Sequence, residues 1–278
     1  MPGENRNGIL KTDLAEQVCR IRGIYQRFFG RPNRGAVVIT GNQKTGSTAI
    51  GALLARVCGK TFSMDPVYHI KRGVEFELLE KRASLAEVIR RYPRFFAADI
   101  IKDLHIVFFI EQAFEFFEGG RFVFIIRDPR DNIRSILNRL KLPGNLEQLS
   151  DADFRNIPTR GWREIINGRL YQSAGANYVE TMAHRWNRIA ATYRGNADRM
   201  TLIRYEDFLG DKTAFIKDLA ERLGIKAKYD ISGSVNIQYQ PKGDNSASWP
   251  EFFGRENLRI IEQTCGPMMS KFGYALSL

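Results

Sequence analysis

The sequence lacks long hydrophobic runs and has only three cysteines, and each shortage narrows the class of protein, while its three histidines leave few candidates for acid-base work. No stretch of the 278 residues approaches about eighteen apolar positions, the length a membrane-spanning helix needs. The opening segment MPGENRNGILKTDLAEQ has no apolar core of the secretory kind, so a cytoplasmic protein is expected. Cys19, Cys58 and Cys265 are odd in number and far apart, which fits free thiols in a reducing compartment better than a disulfide framework. No zinc-finger spacing, RNP-type segment or aromatic-basic repeat is present, so nucleic acid is not the expected partner. Internal repeats and low-complexity segments are also missing.

What remains is an ordinary globular composition, 44% hydrophobic and 26% charged. The length suits one large α/β domain or two small ones. Lysine and arginine number 42 against 31 acidic residues, a formal net charge of +11. An anionic partner follows, whether nucleotide, acidic glycan or membrane surface.

Residues 10–29 place Leu10, Leu14, Val18, Ile21, Ile24 or Tyr25, and Phe28 at helical spacing. The spacing predicts a helix packed on the main domain, and a membrane-surface or partner-binding helix is the alternative. GAVVITG (35–41) reads as a buried parallel strand because it is β-branched throughout and ends in glycine. STAIGALLARVCG (47–59) reads as a helix closed by Gly59. Further strands are expected over 95–102, 120–128 and 199–207, with helices over 105–120, 129–140 and 212–225. Proline at position 129 suits a helix start. This alternation predicts a three-layer α/β/α fold around a parallel sheet. Residues 141–198 read as a helical and loop insertion, and 232–254 as a second loop. The whole chain reads as a single domain, with residues 1–34 as an N-terminal helical extension.

GNQKTGST (41–48) is nearly a Walker A loop, G-x-x-x-x-G-K-[ST]. Gly41, Gly46 and Thr48 keep that pattern, but Ser47 fills the lysine slot and the lysine stands upstream at Lys44. A glycine turn from a buried strand into a helix aims backbone N–H groups at one spot, an anion site wherever the lysine falls. In FVFIIRDPRDNIRS (122–135), Arg127 leaves a strand end, where it can grip a phosphate in a fork, and Ser135 adds a hydroxyl from the following helix. The same stretch also reads as a Walker B strand with Asp128 available for magnesium, as in a nucleotide kinase.

QKTGST followed by FIIRDPRDNIRS, RYEDF and the late PKG resembles the sulfotransferases that use the sulfate donor PAPS. The resemblance covers residues 36–59, 95–140 and 200–225, the loop 241–254 and the helical tail. It implies a P-loop-like fold and a metal-independent transfer of a sulfuryl group to an acceptor hydroxyl. By that resemblance Lys44 reaches the bridging oxygen where charge builds as the sulfuryl group leaves. Thr45, Gly46, Ser47 and Thr48 surround the 5′-phosphate, Arg127 and Ser135 hold the 3′-phosphate, Lys242 and Gly243 close over it, and Tyr205 lies near the adenine. The chain departs from many cytosolic members in having Ala49 where they carry an adenine-stacking tryptophan, and Gln240-Pro241 where they carry an arginine.

The general base has several candidates. His105 stands near the family's histidine, although IIKDLH sets Lys102 one residue out of the usual K-T-H register and nearer a KDP-like form. His69, with Asp65 to orient it, is the rival, and a carboxylate at Asp65 or Asp103 is the third option. His184, at helical spacing with Trp186, reads as structural. A magnesium-dependent P-loop kinase and a non-catalytic anion-binding protein remain as other functions. The acceptor is expected to be a glycan, a glycolipid or a small molecule; the positive charge fits an acidic glycan or lipid-linked acceptor and equally fits the donor alone. Oligomeric state is open.

Overall fold

The computed structural model describes residues 17–277, except 27, 71, 72, 240, 241, 242 and 245. The chain divides into two compact units. The first comprises Met1–Thr40, Gly46–Ile125 and Asp198–Tyr239, and the second Gly41–Thr45, Ile126–Ala197 and Gln240–Leu278.

In the first unit, residues 17–26 and 28–29 are helical, a segment labelled α1. A five-stranded sheet follows the order β2-β3-β1-β4-β5. Its strands are β1 (Val37–Gly41), β2 (Phe62–Met64), β3 (Ile100–Lys102), β4 (Arg121–Ile126) and β5 (Met200–Arg204). β3 runs parallel to both β1 and β2, with Ile39 and Met64 each in register with Lys102. The last residues of β1 and β4 are counted with the second unit. β1 is buried throughout, as its β-branched run requires.

α2 (Ser47–Cys58) begins at Gly46 and stops at Gly59, whose φ of 61° admits no β-carbon without strain. α2 packs with α12 (Lys212–Arg222), burying Ile50, Leu53, Leu54, Ile216 and Leu219 beneath β1 and β4 side chains. Emptying one such site, as Leu53→Ala would, costs about 2–5 kcal/mol. Short helices α3 (Pro66–Ile70), α4 (Val74–Leu79), α5 (Leu85–Arg91) and α6 (Ile110–Phe116) lie between the strands, and α11 (Tyr205–Phe208) follows β5 directly.

β3 is shorter than the apolar run 95–102 suggests. Pro93 opens a 3-10 turn through Phe96, and the Asp99 carboxylate then accepts bonds from the Thr61 main chain at 3.0 Å and hydroxyl at 2.9 Å. Only three residues are left to pair. The predicted helix over 105–120 likewise splits into a 3-10 turn, Ile106–Phe109, and α6.

The second unit is helical. α7 (Pro129–Leu140) matches the predicted bounds, with proline at its first turn and the Asp128 side chain accepting from the Arg130 N–H at 2.9 Å. α8 (Asp151–Arg155), α9 (Arg160–Asn167) and α10 (Tyr178–Arg194) fill the stretch read as an insertion. α13 (Trp249–Met269) kinks at Gly254. α10 packs on α7, α9 and α13 through Val179, Met182, Trp186 and Ile189.

Candidate active site

The first unit carries the helix-side half of the glycine loop. Gly46 sits at φ 76° and caps α2 with no side-chain bond and no acidic residue in the first turn. The opening N–H groups of α2 therefore keep their positive end, which suits an anion. Ser47 and Thr48 are both buried there. Tyr205 lies against Gly46 so closely that a β-carbon on residue 46 would overlap its ring. The left-handed φ and this approach each demand glycine.

Beyond the ends of β2 and β3 lies a chain of charged groups. Lys102, 2% exposed, donates to both carboxylate oxygens of Asp65 at 2.8 and 2.7 Å. Asp103 is fully buried and accepts from the Val67 N–H at 2.7 Å and the His105 N–H at 2.8 Å. The His105 imidazole lies with Nδ1 3.5 Å from the same carboxylate. His69 is exposed beside the edge of Tyr68, ring centroids 5.2 Å apart. Asp65 does not orient the His69 ring in this arrangement. Its carboxylate is taken by Lys102, and residues 65 and 69 are joined main chain to main chain at 3.0 Å.

The second unit carries the strand-side half of the loop. Lys44 adopts φ 67°, a left-handed conformation that is costly for a residue with a side chain. The surroundings hold it in place. Arg127 donates to the Lys44 carbonyl at 3.1 Å. Asn132 on α7 donates to the Gln43 carbonyl at 2.7 Å and accepts from the Asn42 amide at 2.8 Å. Arg185 on α10 donates to the Gln43 side chain at 2.8 Å, and Thr45 bonds back to the Asn42 carbonyl at 2.9 Å. Arg185 is fully buried over the ring of Tyr171, and burial pushes its guanidinium down to about 10. It stays charged at neutral pH. The Trp186 indole in turn holds the Arg127 carbonyl at 2.9 Å.

Asp128 is committed elsewhere. It forms a two-point ion pair with Arg130, whose other nitrogen reaches Glu262 at 2.6 Å. Burial is the largest single influence and would lower the Arg130 pKa, but its bonds to Asp128 and Glu262 together outweigh it and hold the guanidinium above its usual value. A carboxylate neutralised in this way is a poor magnesium ligand. Ser135 is half-buried on α7, three residues before Asn138. Asn138 donates to the Asp244 carbonyl at 2.6 Å and Arg134 to the Ala247 carbonyl at 2.7 Å. They fasten the late loop to α7 and set Gly243 beside Asn138. Lys242 lies outside the described residues. His184 is exposed on α10, 3.7 Å from Glu180.

The structure thus brings Lys44 to Arg127, Tyr205 to Gly46, and Gly243 to the helix bearing Ser135. The sequence reading missed Asn42, Asn132 and Arg185, which shape the loop. Nothing in the sequence marks them, since Asn42 stands in a polar loop and Asn132 and Arg185 stand in helices rich in other polar residues.

The sulfotransferase family profile matches residues 74–229, from α4 to just beyond α12, and leaves the glycine loop ahead of the match. No curated protein sequence matches the chain. Among solved structures, a sulfotransferase of Alicyclobacillus acidocaldarius is 15% identical with a TM-score of 0.50, covering 89% of this chain and 98% of its own. Mouse sulfotransferase SULT7A1, complexed with PAP, is 13% identical with a TM-score of 0.50 and 86% coverage of each chain. Sulfotransferase STF9 of Mycobacterium avium is 11% identical with a TM-score of 0.53, covering 92% of this chain and 81% of its own. The central parallel sheet flanked by helices is the fold this chain shares with them.

Proposed function

Since the chain belongs to the sulfotransferase family, we propose that it transfers a sulfuryl group from PAPS to an acceptor hydroxyl within a single catalytic domain. A new bond forms between the acceptor oxygen and sulfur as the bond from sulfur to the 5′-phosphate oxygen breaks. Adenosine 3′,5′-bisphosphate leaves, and the acceptor proton passes to a base. Lys44 steadies the leaving oxygen. The N–H groups and hydroxyls of Gly46, Ser47 and Thr48, with Thr45, hold the 5′-phosphate. Arg127 and Ser135 hold the 3′-phosphate, Lys242 and Gly243 cover it, and Tyr205 borders the adenine. The PAP held by the mouse neighbour fits that donor.

His105 is the base this reading favours, because Asp103 lies beneath its imidazole and can steady the imidazolium. His69 is the alternative. Asp65 and Asp103 are less suited, one paired with Lys102 and the other fully buried. The acceptor in this reading is a glycan, a glycolipid or a small molecule that carries a hydroxyl, and the enzyme is cytoplasmic.

The observation that carries the reading is the fate of the two kinase hallmarks. The lysine is moved to position 44, where the chain turns left-handed, and the Walker-type Asp128 is neutralised by Arg130. Titration calorimetry with adenosine 3′,5′-bisphosphate and with ATP, each in magnesium and in EDTA, tests it. Metal-independent binding of the bisphosphate, lost in Arg127→Ala, is expected. Magnesium-dependent ATP binding with no response to the bisphosphate would sink the reading.

A further inference from the structure

Helix α1 faces the wrong way for a helix held by its apolar stripe. Cys19, Gly23, Gln26 and Gly30 form its inward row and are partly covered. The spacing of four, three and four residues is that of one helix face. Gly30 closes the contact, since a β-carbon there would overlap Ala97 and the Gln26 carbonyl. The opposite face carries Val18, Ile21, Ile24, Tyr25, Phe28 and Phe29, each between 58 and 73% exposed. The small inward residues let the backbone lie close to the body of the first unit, and that leaves the large apolar ones outside.

The segment itself carries charge of one sign only, although Arg22 and Arg34 each meet an acid of another element, Asp99 and Glu118. Residues 17–34 contain five arginines, at 20, 22, 27, 31 and 34, and no aspartate or glutamate. At 100° per residue the apolar side chains fill one arc of the helix, with Arg20 on one edge and Arg22 on the other. Arg22 is anchored to Asp99 at 3.0 Å. Under the inward edge, a cavity of about 320 Å³ is lined by Arg20, Arg56 and Lys60, with Asp230 the one acid in its wall.

We propose that residues 17–34 dock this protein on an anionic lipid surface, the exposed apolar face entering the headgroup boundary and the flanking arginines meeting lipid phosphates. An apolar aliphatic and aromatic arc edged by cations is the pattern of a helix that lies in the membrane interface. The arginine stems can run along the apolar boundary with their heads in the phosphate layer. A second copy of the chain is the weaker occupant, because a self-complementary interface would set these arginines against their own copies. The docking is independent of the donor chemistry proposed above.

The test is co-sedimentation of the full chain with neutral phosphatidylcholine vesicles and with vesicles in which about a third of the lipid is phosphatidylglycerol. The expected result is binding to the anionic vesicles alone, weakened by high salt. Ile21→Asp with Phe28→Asp should weaken it about tenfold or more. Both positions are solvent-exposed, so the double variant should keep the parent's unfolding midpoint. Failure to bind anionic vesicles, or equal binding by the double variant, overturns the proposal. So does a solution dimer of the parent that the double variant dissociates, because it would assign the face to a second copy.

Discussion

Asn132→Ala removes the side chain that holds two consecutive residues of the glycine loop. Asn132 is fully buried, and its loss leaves the Gln43 carbonyl and the Asn42 amide each without the bond, 2.7 and 2.8 Å long, that it supplied. An orphaned buried polar group costs about 1–3 kcal/mol. Two of them place the total near 3 kcal/mol, allowing for partial relaxation. Spread over global unfolding, that lowers Tm by about 6–12 °C for a chain of this size. If the same bonds fix the loop in its anion-binding shape, the penalty also falls on binding. Affinity for adenosine 3′,5′-bisphosphate then drops at least about tenfold and at most about a hundredfold. Calorimetric titration beside a thermal scan separates the two effects. Asn132→Asp sharpens the comparison, since its carboxylate accepts from Asn42 but cannot donate to the Gln43 carbonyl. A lowered Tm with bisphosphate affinity unchanged would refute the claim that Asn132 shapes the loop for its ligand.

Asp65→Asn strips the buried Lys102 ammonium of its carboxylate, and urea unfolding should show a loss of about 3–5 kcal/mol. The double variant Asp65→Asn with Lys102→Met should recover part of it. For the base, His105→Ala should lower kcat by about 10²–10⁴ with bisphosphate affinity intact, while His69→Ala leaves kcat near the parent value. The reverse pattern assigns the proton to His69. Mass mapping after brief iodoacetamide treatment of the folded protein near pH 8 should find Cys19 modified first. Cys58 is buried and burial pushes its thiol up to about 11, and Cys265 is raised still further by burial. Both hold almost no thiolate at that pH. Labelling of either at the rate of Cys19 contradicts the packing described here.

The strand-loop-helix core was legible because its signals are local. β1 announces itself by an unbroken β-branched run, α2 by Gly59, and α7 by the proline that starts it. β3 was overdrawn because Phe95 and Phe96 look like strand residues, whereas Pro93 and the Asp99 carboxylate decide the backbone there. α1 was legible as amphipathic, but the small residues that turn its apolar face outward only acquire meaning beside Ala97. At the site, Lys44, Arg127 and Ser135 stood out through spacing and family likeness. Asn42, Asn132 and Arg185 did not, because a lone amide or guanidinium has no local signature and their partners lie 89 to 142 residues away. The Asp65 carboxylate illustrates the same limit. Sequence proximity pairs it with His69, whereas the parallel register that sets Met64 opposite Lys102 leaves the next residue, Asp65, within reach of the Lys102 ammonium.

Trp186 has a use that its structural role does not suggest. It is one of three tryptophans in the chain, lies buried, and bonds through its indole N–H to the main-chain carbonyl of Arg127. Any ligand that draws on the Arg127 guanidinium tugs at the same residue from the other side. If Arg127 holds the donor as proposed, the molecule carries an intrinsic fluorophore wired to that grip, and donor arrival can be followed optically without a label.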